Sequence, residues 1–514
     1  MTTRVPRVRV FGLAMGFLIC VAGASAQAQP DLGMPGLPPT LPGPPLLSPF
    51  LPPPTTVTSA LAVLPADVQG PANQHNFNLF AWLEFVALNW PADPATCAAR
   101  RGSTLVDDVH SPRIWETWKT EAEIFVNPRQ RPAPWCSQEV PVLRMERQIG
   151  NLGPSLVDSF RERFNATGVD RALFQLSKFS SQELPAVFQA FGGPLVDQSG
   201  RFVRYEERVN KDEFDFIVGK DLWSKAGQAR WLSRDPVAPI VMPAGDSRDL
   251  LGRVGAMEVK AAWKVLTAAE LRGGRFYSIK ALVTTGTDAA GKPITAVADV
   301  GMIGFHITHK STRSPQWTWA TFEHVDNLTS SLRRPGCRAH ATCSSSFYCP
   351  DGCCPDNCQP VSCTGGTCPE LTPAGRPVNL PTQVERIQDV ALMNPPDRDV
   401  GRLNQAFRQL LAGSVWENYQ LISTQWPSRP SAPGGAPVPP FLANVALETY
   451  NQGPTAEGSD GHTAYPSAGY APFAQVETPS SSCLKCHSVA VTAGRDRRDK
   501  PASADFSFLL GKAQ

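Results

Sequence analysis

Met257-Glu-Val-Lys-Ala-Ala-Trp-Lys-Val265 alternates apolar and polar side chains. A period of two places successive side chains on opposite faces of a strand, so the stretch predicts a half-buried β-strand. Downstream, residues 276–285 and 294–309 predict a strand pair around Gly291, and residues 316–324 one more strand. Upstream, residues 194–200 and 201–206 predict a hairpin with Gly200 in the turn. Sequential strands joined by short turns favour an antiparallel sheet.

Helical spacing appears on either side of these strands. Residues 77–90 carry apolar side chains at helical intervals and stop at Pro91, and residues 114–125 predict a second helix. Residues 153–191 continue the helical pattern, broken at Pro185 and closed by Gly192-Gly193. Residues 384–424 also read as helical, and 441–450 as a short helix. The predicted class is α+β: a large body with a mostly antiparallel sheet and flanking helices, a disulfide-rich insert, and a short helical C-terminal segment.

The N-terminus reads as an export signal. Arg4, Arg7 and Arg9 precede an apolar stretch over 10–23, and Ala24-Ser25-Ala26 is a small-residue cleavage site. Residues 1–26 are therefore expected to be removed, leaving 45 basic and 46 acidic residues. This near-neutral balance has no Lys/Arg-rich face, so no nucleic acid partner is expected. No later stretch is apolar and long enough to predict a transmembrane segment after signal cleavage. The expected location is the periplasm or the exterior.

The remaining organisation follows from composition. Residues 27–74 form a Pro-rich tether with eleven prolines between 30 and 54. The α+β body is expected over 75–336 and its helical part over 371–426, with a Pro/Gly linker at 427–440. Residues 337–370 hold Cys337, Cys343, Cys349, Cys353, Cys354, Cys358, Cys363 and Cys368 with almost no large apolar side chains. In an oxidising compartment these predict four disulfides, with a zinc site as the alternative. Cys97 and Cys136 predict a further pair.

The chemistry-bearing motif lies in the last segment, 441–514. Cys483-Leu-Lys-Cys486-His487 is a Cys-x-x-Cys-His sequence, the attachment motif for haem c. One helical turn brings both thiols and the imidazole to one macrocycle, so Cys483 and Cys486 are the expected covalent anchors and His487 the proximal iron ligand. A redox dithiol would want a thioredoxin-like context, and a zinc knuckle a second ligand pair; residues 488–514 contain no Cys or His. Only 27 residues follow His487 and none is Met, so a common small cytochrome c domain is not appended here. A sixth iron ligand must come from upstream, and the densest patch gives His309, His306 and Met302 as candidates. Phosphate loops, HExxH and GxSxG signatures are absent.

Six phrases carry a resemblance: residues 87–91, 203–206, 258–264, 318–327, 482–487 and 505–510. Together they resemble a group of long proteobacterial mono-haem proteins described only as the cytochrome c family. The likeness covers about residues 75–330 and 400–514, and the Cys-rich insert departs from it. It implies export and one haem c. The expected role is electron transfer with a redox partner protein in the periplasm. The alternative is a haem-dependent oxidoreductase (peroxidase, oxygenase or reductase) whose large body forms a substrate pocket.

Overall fold

In the computed structural model, Met257–Val265 is an interior strand of a nine-stranded sheet. The structure describes residues 56–106, 108, 111–125, 129–137, 154–174, 195–234, 239–248, 253–290, 292–328, 345–347, 370–372, 374–379, 381–382, 384, 399–429, 437–439, 442–449 and 482–514. The signal peptide, the eleven-proline tract, the eight clustered cysteines, and the helical pattern at 175–191 lie outside the described residues.

The sheet strands are β1 (Lys119–Thr120), β2 (Ala172–Leu173), β3 (Arg204–Val209), β4 (Met257–Val265), β5 (Ser278–Thr287), β6 (Pro293–His309), β7 (Thr318–His324), β8 (Tyr419–Pro427) and β9 (Pro437–Val438). The main order is β9-β8-β7-β6-β4-β3-β1. β6 pairs with β4 along one edge; on the other its first half takes β5 and its second half β7. All these pairings are antiparallel except the short parallel contact of β2 with β5. The expected antiparallel sheet is present, and so is the expected turn at Gly200, whose φ of +77° suits glycine.

β4 departs from its expectation: it is covered on both faces, not one. Met257, Val259, Ala261 and Trp263 enter the main apolar core with Phe305, Ile307 and Phe322. The helix Gln74–Leu88 lies over this face. Residues on every side of it are buried, which suits a helix enclosed between layers. Asn73 caps it by accepting from Asn76 N at 2.9 Å. Phe85 stacks on Phe322 with centroids 4.3 Å apart, and Trp82 on Phe407 of the helix Asp399–Leu410 at 4.8 Å. Beside the irregularity between Leu421 and Ser423, the Asn404 side chain meets both the N–H and the C=O of Leu421, at 3.0 and 2.9 Å.

The polar alternates of β4 point to a second layer rather than to water. Lys260 pairs with Glu207, and Lys264 with Asp197 at 3.3 Å and Glu270 at 2.6 Å. The helices Lys211–Gly219 and Lys225–Leu232 and the C-terminal residues 482–514 build that layer.

Several boundaries shift. Residues 114–125 are not one helix: a 3-10 turn Ile114–Thr117 leads into β1 and a short helix Glu121–Phe125. Pairing of Lys119 with Val209 outweighs helical spacing there. The end of the expected helical part is strand β8, rich in β-branched and aromatic residues that pair with β7. β9 folds back on β8 inside the expected linker. Residues 442–449 are turns, not a helix. Residues 56–74 are packed rather than a tether, since Val68 is buried against Phe77, Phe80 and Trp426. The insert is not wholly peripheral: Phe347 is buried in the body, and Glu370 binds Arg204 and Arg201. Cys97 and Cys136 form the expected disulfide, with Cα atoms 5.8 Å apart. No described helix is long and apolar enough to cross a membrane.

Candidate functional site

The Cys-x-x-Cys-His motif forms the single helical turn Cys483–His487. Cys486 N donates to Ser482 O at 2.9 Å and Ser488 N to Leu484 O at 3.0 Å. Positions i, i+3 and i+4 share one helix face, so Cys483, Cys486 and His487 do as well. So short a helix cannot hold itself and needs an external cap. Gln425 of β8 supplies it, accepting at Oε1 from Leu484 N at 2.9 Å and Ser482 Oγ at 3.2 Å, while its Nε2 donates to Pro439 O at 2.8 Å. Replacing Gln425 with Ala is expected to lower stability by about 1–2 kcal/mol through the orphaned Leu484 N–H. Chemical denaturation of the holoprotein checks this, and faster amide exchange at Leu484 should accompany it.

Cross-strand register explains where the motif sits. Val209, Glu258, Thr308, Trp319 and Gln425 are successive direct neighbours across β3, β4, β6, β7 and β8. They form one row on the second-layer face. Gln425 caps the motif, and Trp319 packs on His487 with ring centroids 4.3 Å apart and planes at 49°. Phe508 approaches the same imidazole at 4.8 Å and 58°. The half-buried Cys483 and Cys486 join the apolar cluster of Trp317, Trp319, Leu484, Met242 and Leu510.

His487 Nδ1 lies 2.8 Å from Phe506 O. A carbonyl only accepts, so Nδ1 carries the proton and the ring lone pair lies on Nε2. The carbonyl is aimed by an uncommon turn: Asp505 and Phe506 both adopt left-handed backbone, with φ of 54° and 69°. Non-glycine residues adopt it at a cost of roughly 1 kcal/mol each. Four bonds hold the turn. Trp317 Nε1 donates to Asp505 O at 2.8 Å, Met242 N and Lys310 Nζ to Asp505 Oδ2 at 2.6 and 2.5 Å, and Ser507 N to Ala504 O at 3.1 Å.

The three candidate distal residues separate. His309 pairs with Thr318 and so faces the helix Gln74–Leu88, away from Trp319. Its Nδ1 meets Glu84 Oε1 at 2.5 Å and its Nε2 meets Val254 O at 2.6 Å, so both ring nitrogens are engaged. Met302 is also on that far face. By simple alternation it would share a side with His306, but the irregularity between Ala262 and Trp263 leaves Ile303 without a direct partner on β4 and reverses the parity. Met302 then packs with Trp263 in the main core. The expectation that either approaches the motif is corrected accordingly. His306 lies on the second-layer face between Lys260 and Thr321, with Nε2 3.3 Å from Glu448.

Charged groups lie under the C-terminal segment. Burial would raise Glu207, but Lys260 and Lys512 outweigh it and hold the carboxylate below its usual range. Burial raises Asp505, with Lys310 pulling it back. Burial and then the facing Glu258 push Glu213 well above the ordinary carboxylate range. Burial lifts Glu258 to about 7.

The residues present fit a haem c. Two thiols and an imidazole share one face of a helical turn, the imidazole is in the required tautomer, and the surroundings are apolar and aromatic. Among the described residues no group of three or more His, Cys, Asp or Glu side chains converges as a single-ion cage. Sequence reasoning placed Trp317 and Trp319 only in a predicted strand and gave Gln425, Asp505 and Phe506 no role. Their function depends on register and on a left-handed turn, and neither has a sequence signature here. Comparison with family models, with curated proteins and with solved structures found no match.

Proposed function

We propose that this chain is an exported mono-haem c protein that passes single electrons to and from a redox partner protein. The observation that carries the reading is the hydrogen bond from His487 Nδ1 to Phe506 O within the Cys-x-x-Cys-His turn. A bound haem c would supply one-electron iron chemistry. The chain's own residues do the rest. Cys483 and Cys486 would anchor the group as thioethers, and His487 would offer Nε2 to the iron. Trp319 and Phe508 restrict rotation of the imidazole. The Phe506 carbonyl keeps the proton on Nδ1 and raises the basicity of the ligand. The apolar cluster lowers the local dielectric, one of the levers that set a haem potential.

Of the three distal candidates, His306 alone is on the motif's side of the sheet, which supports it as the sixth ligand. The test is the optical and EPR spectrum of oxidised and reduced protein, with and without cyanide or carbon monoxide. A carrier is expected to be low-spin, to keep its optical and EPR spectrum unchanged when cyanide or carbon monoxide is added, and to become high-spin in the His306→Ala variant. Five-coordinate wild-type iron that takes up cyanide and carbon monoxide readily would overturn electron transfer in favour of a haem-dependent oxidoreductase.

A further inference from the structure

Glu213 and Glu258 form a buried carboxyl pair that the proposed electron chemistry does not by itself use. Glu213 is the third residue of the helix Lys211–Gly219 and has no exposed surface. Asn210 fixes it from both ends: its Oδ1 accepts from Glu213 N at 3.1 Å and from Met257 N at 3.1 Å, the residue before Glu258. Among the described residues, neither carboxyl oxygen of Glu213 finds a hydrogen-bond partner, and neither does Oε1 of Glu258. Two acceptor groups thus face each other with no donor between them. A proton is the species that satisfies both. Glu258 is only partly buried while Glu213 is enclosed, so proton exchange with solvent would run through Glu258.

The charged groups around the pair are already engaged. Lys310 binds Asp505, Lys260 binds Glu207, and Lys512 binds Glu207 and Glu121. Burial outweighs the downward pull that Lys310 still exerts on Glu213 and Lys260 on Glu258. Like-charge repulsion and burial then favour binding of one proton as pH falls through the neutral range, in keeping with the raised position of both groups.

The pair is coupled to the haem site by position. Glu258 is in the cross-strand row of Trp319, two strands away, which at strand spacing is about 10 Å along the sheet. Glu258 also bonds to Ser507, the residue after the one whose carbonyl holds His487. A unit charge at about that range in a partly buried setting changes a proton affinity on the order of tenfold.

We infer that the Glu213–Glu258 pair is a proton-binding site linked to the haem. As one electron arrives from a one-electron redox partner, the pair's affinity for that proton rises about tenfold, so that near neutral pH up to about half a proton per electron is taken up from solvent and is released on reoxidation. This inference rests on the haem reading above. Spectroelectrochemical titration of the holoprotein on both sides of neutral pH tests it. Wild type is expected to lose about 59 mV of reduction potential as pH rises through the window, the equivalent of a tenfold coupling for one electron. Glu213→Gln and Glu258→Gln, each with an unchanged haem band, should show a flat profile. A reduced-minus-oxidised infrared spectrum of wild type should gain a protonated-carboxyl stretch, which needs no variant. Haem-loaded variants that keep the wild-type slope, or wild-type protein with no carboxyl signal, would overturn the inference alone. Protein without a haem band would overturn the reading beneath it and the inference together.

Discussion

Exported protein in which Cys483 and Cys486 are both replaced by Ser will carry no covalent haem. Haem staining after denaturing electrophoresis and the pyridine haemochrome signal should both fall to background. Each thioether needs its own sulfur, and serine hydroxyls do not add to haem vinyl groups. Each single variant keeps one anchor and should retain a fraction of the signal with a shifted haemochrome band. The nine-stranded sheet does not depend on these sulfurs. Both side chains lie at the margin of the aromatic cluster, and the core is built by residues such as Phe85, Trp263, Phe305 and Phe322. The double variant should therefore keep the far-ultraviolet circular dichroism of wild type. Haem that remained covalently bound to it would contradict the assignment of the motif.

Replacing His309 with Ala has the opposite signature. It should cost about 3–5 kcal/mol of stability, measured by denaturant unfolding, and leave the haem spectrum unchanged. His309 and Glu84 are both buried and meet at 2.5 Å. Burial disfavours the imidazolium, but the Glu84 carboxylate and the Val254 carbonyl outweigh it and raise His309 above 6.5. Removing the imidazole strands the carboxyl under the helix Gln74–Leu88 and leaves a gap beside Phe80, which stacks on His309 at 5.4 Å. The pH dependence has a definite sign. A group raised in the folded state contributes stability that is complete below its unfolded value and is lost as pH rises through its folded value. Wild-type stability should carry such a loss above about 6.5, and His309→Ala should lack it. A change in the Soret band of this variant would show that His309 reaches the iron.

The contrast between these residues shows what the sequence could carry. Alternation in Met257–Val265 identified the strand and its two faces, because a period of two is local. It did not reveal that Glu258 and Lys260 face a second layer, because the cover comes from helices at 211–232 and from the C-terminal residues 482–514, which only the tertiary fold brings there. The Cys-x-x-Cys-His turn was legible since all its ligands lie within five residues. The distal patch misled for a structural reason. A one-residue irregularity at Ile303 moves Met302 to the opposite face from His306. Residues 419–424 read as the end of a helix by spacing, yet the aromatic and β-branched content of Tyr419–Pro427 and the waiting edge of β7 make it a strand. Gln425, Trp319 and Phe506 become meaningful only once that strand is in register.

Intact-mass spectrometry of the wild-type protein tests the central claim most directly. The protein would be exported from a host able to attach haem c, with a pyridine haemochrome spectrum taken on the same sample. The account predicts a mature chain heavier by one haem, with that mass recovered on the peptide containing Cys483 and Cys486. A chain at its bare polypeptide mass with no haemochrome band, from a host that loads other haem c proteins, would contradict it.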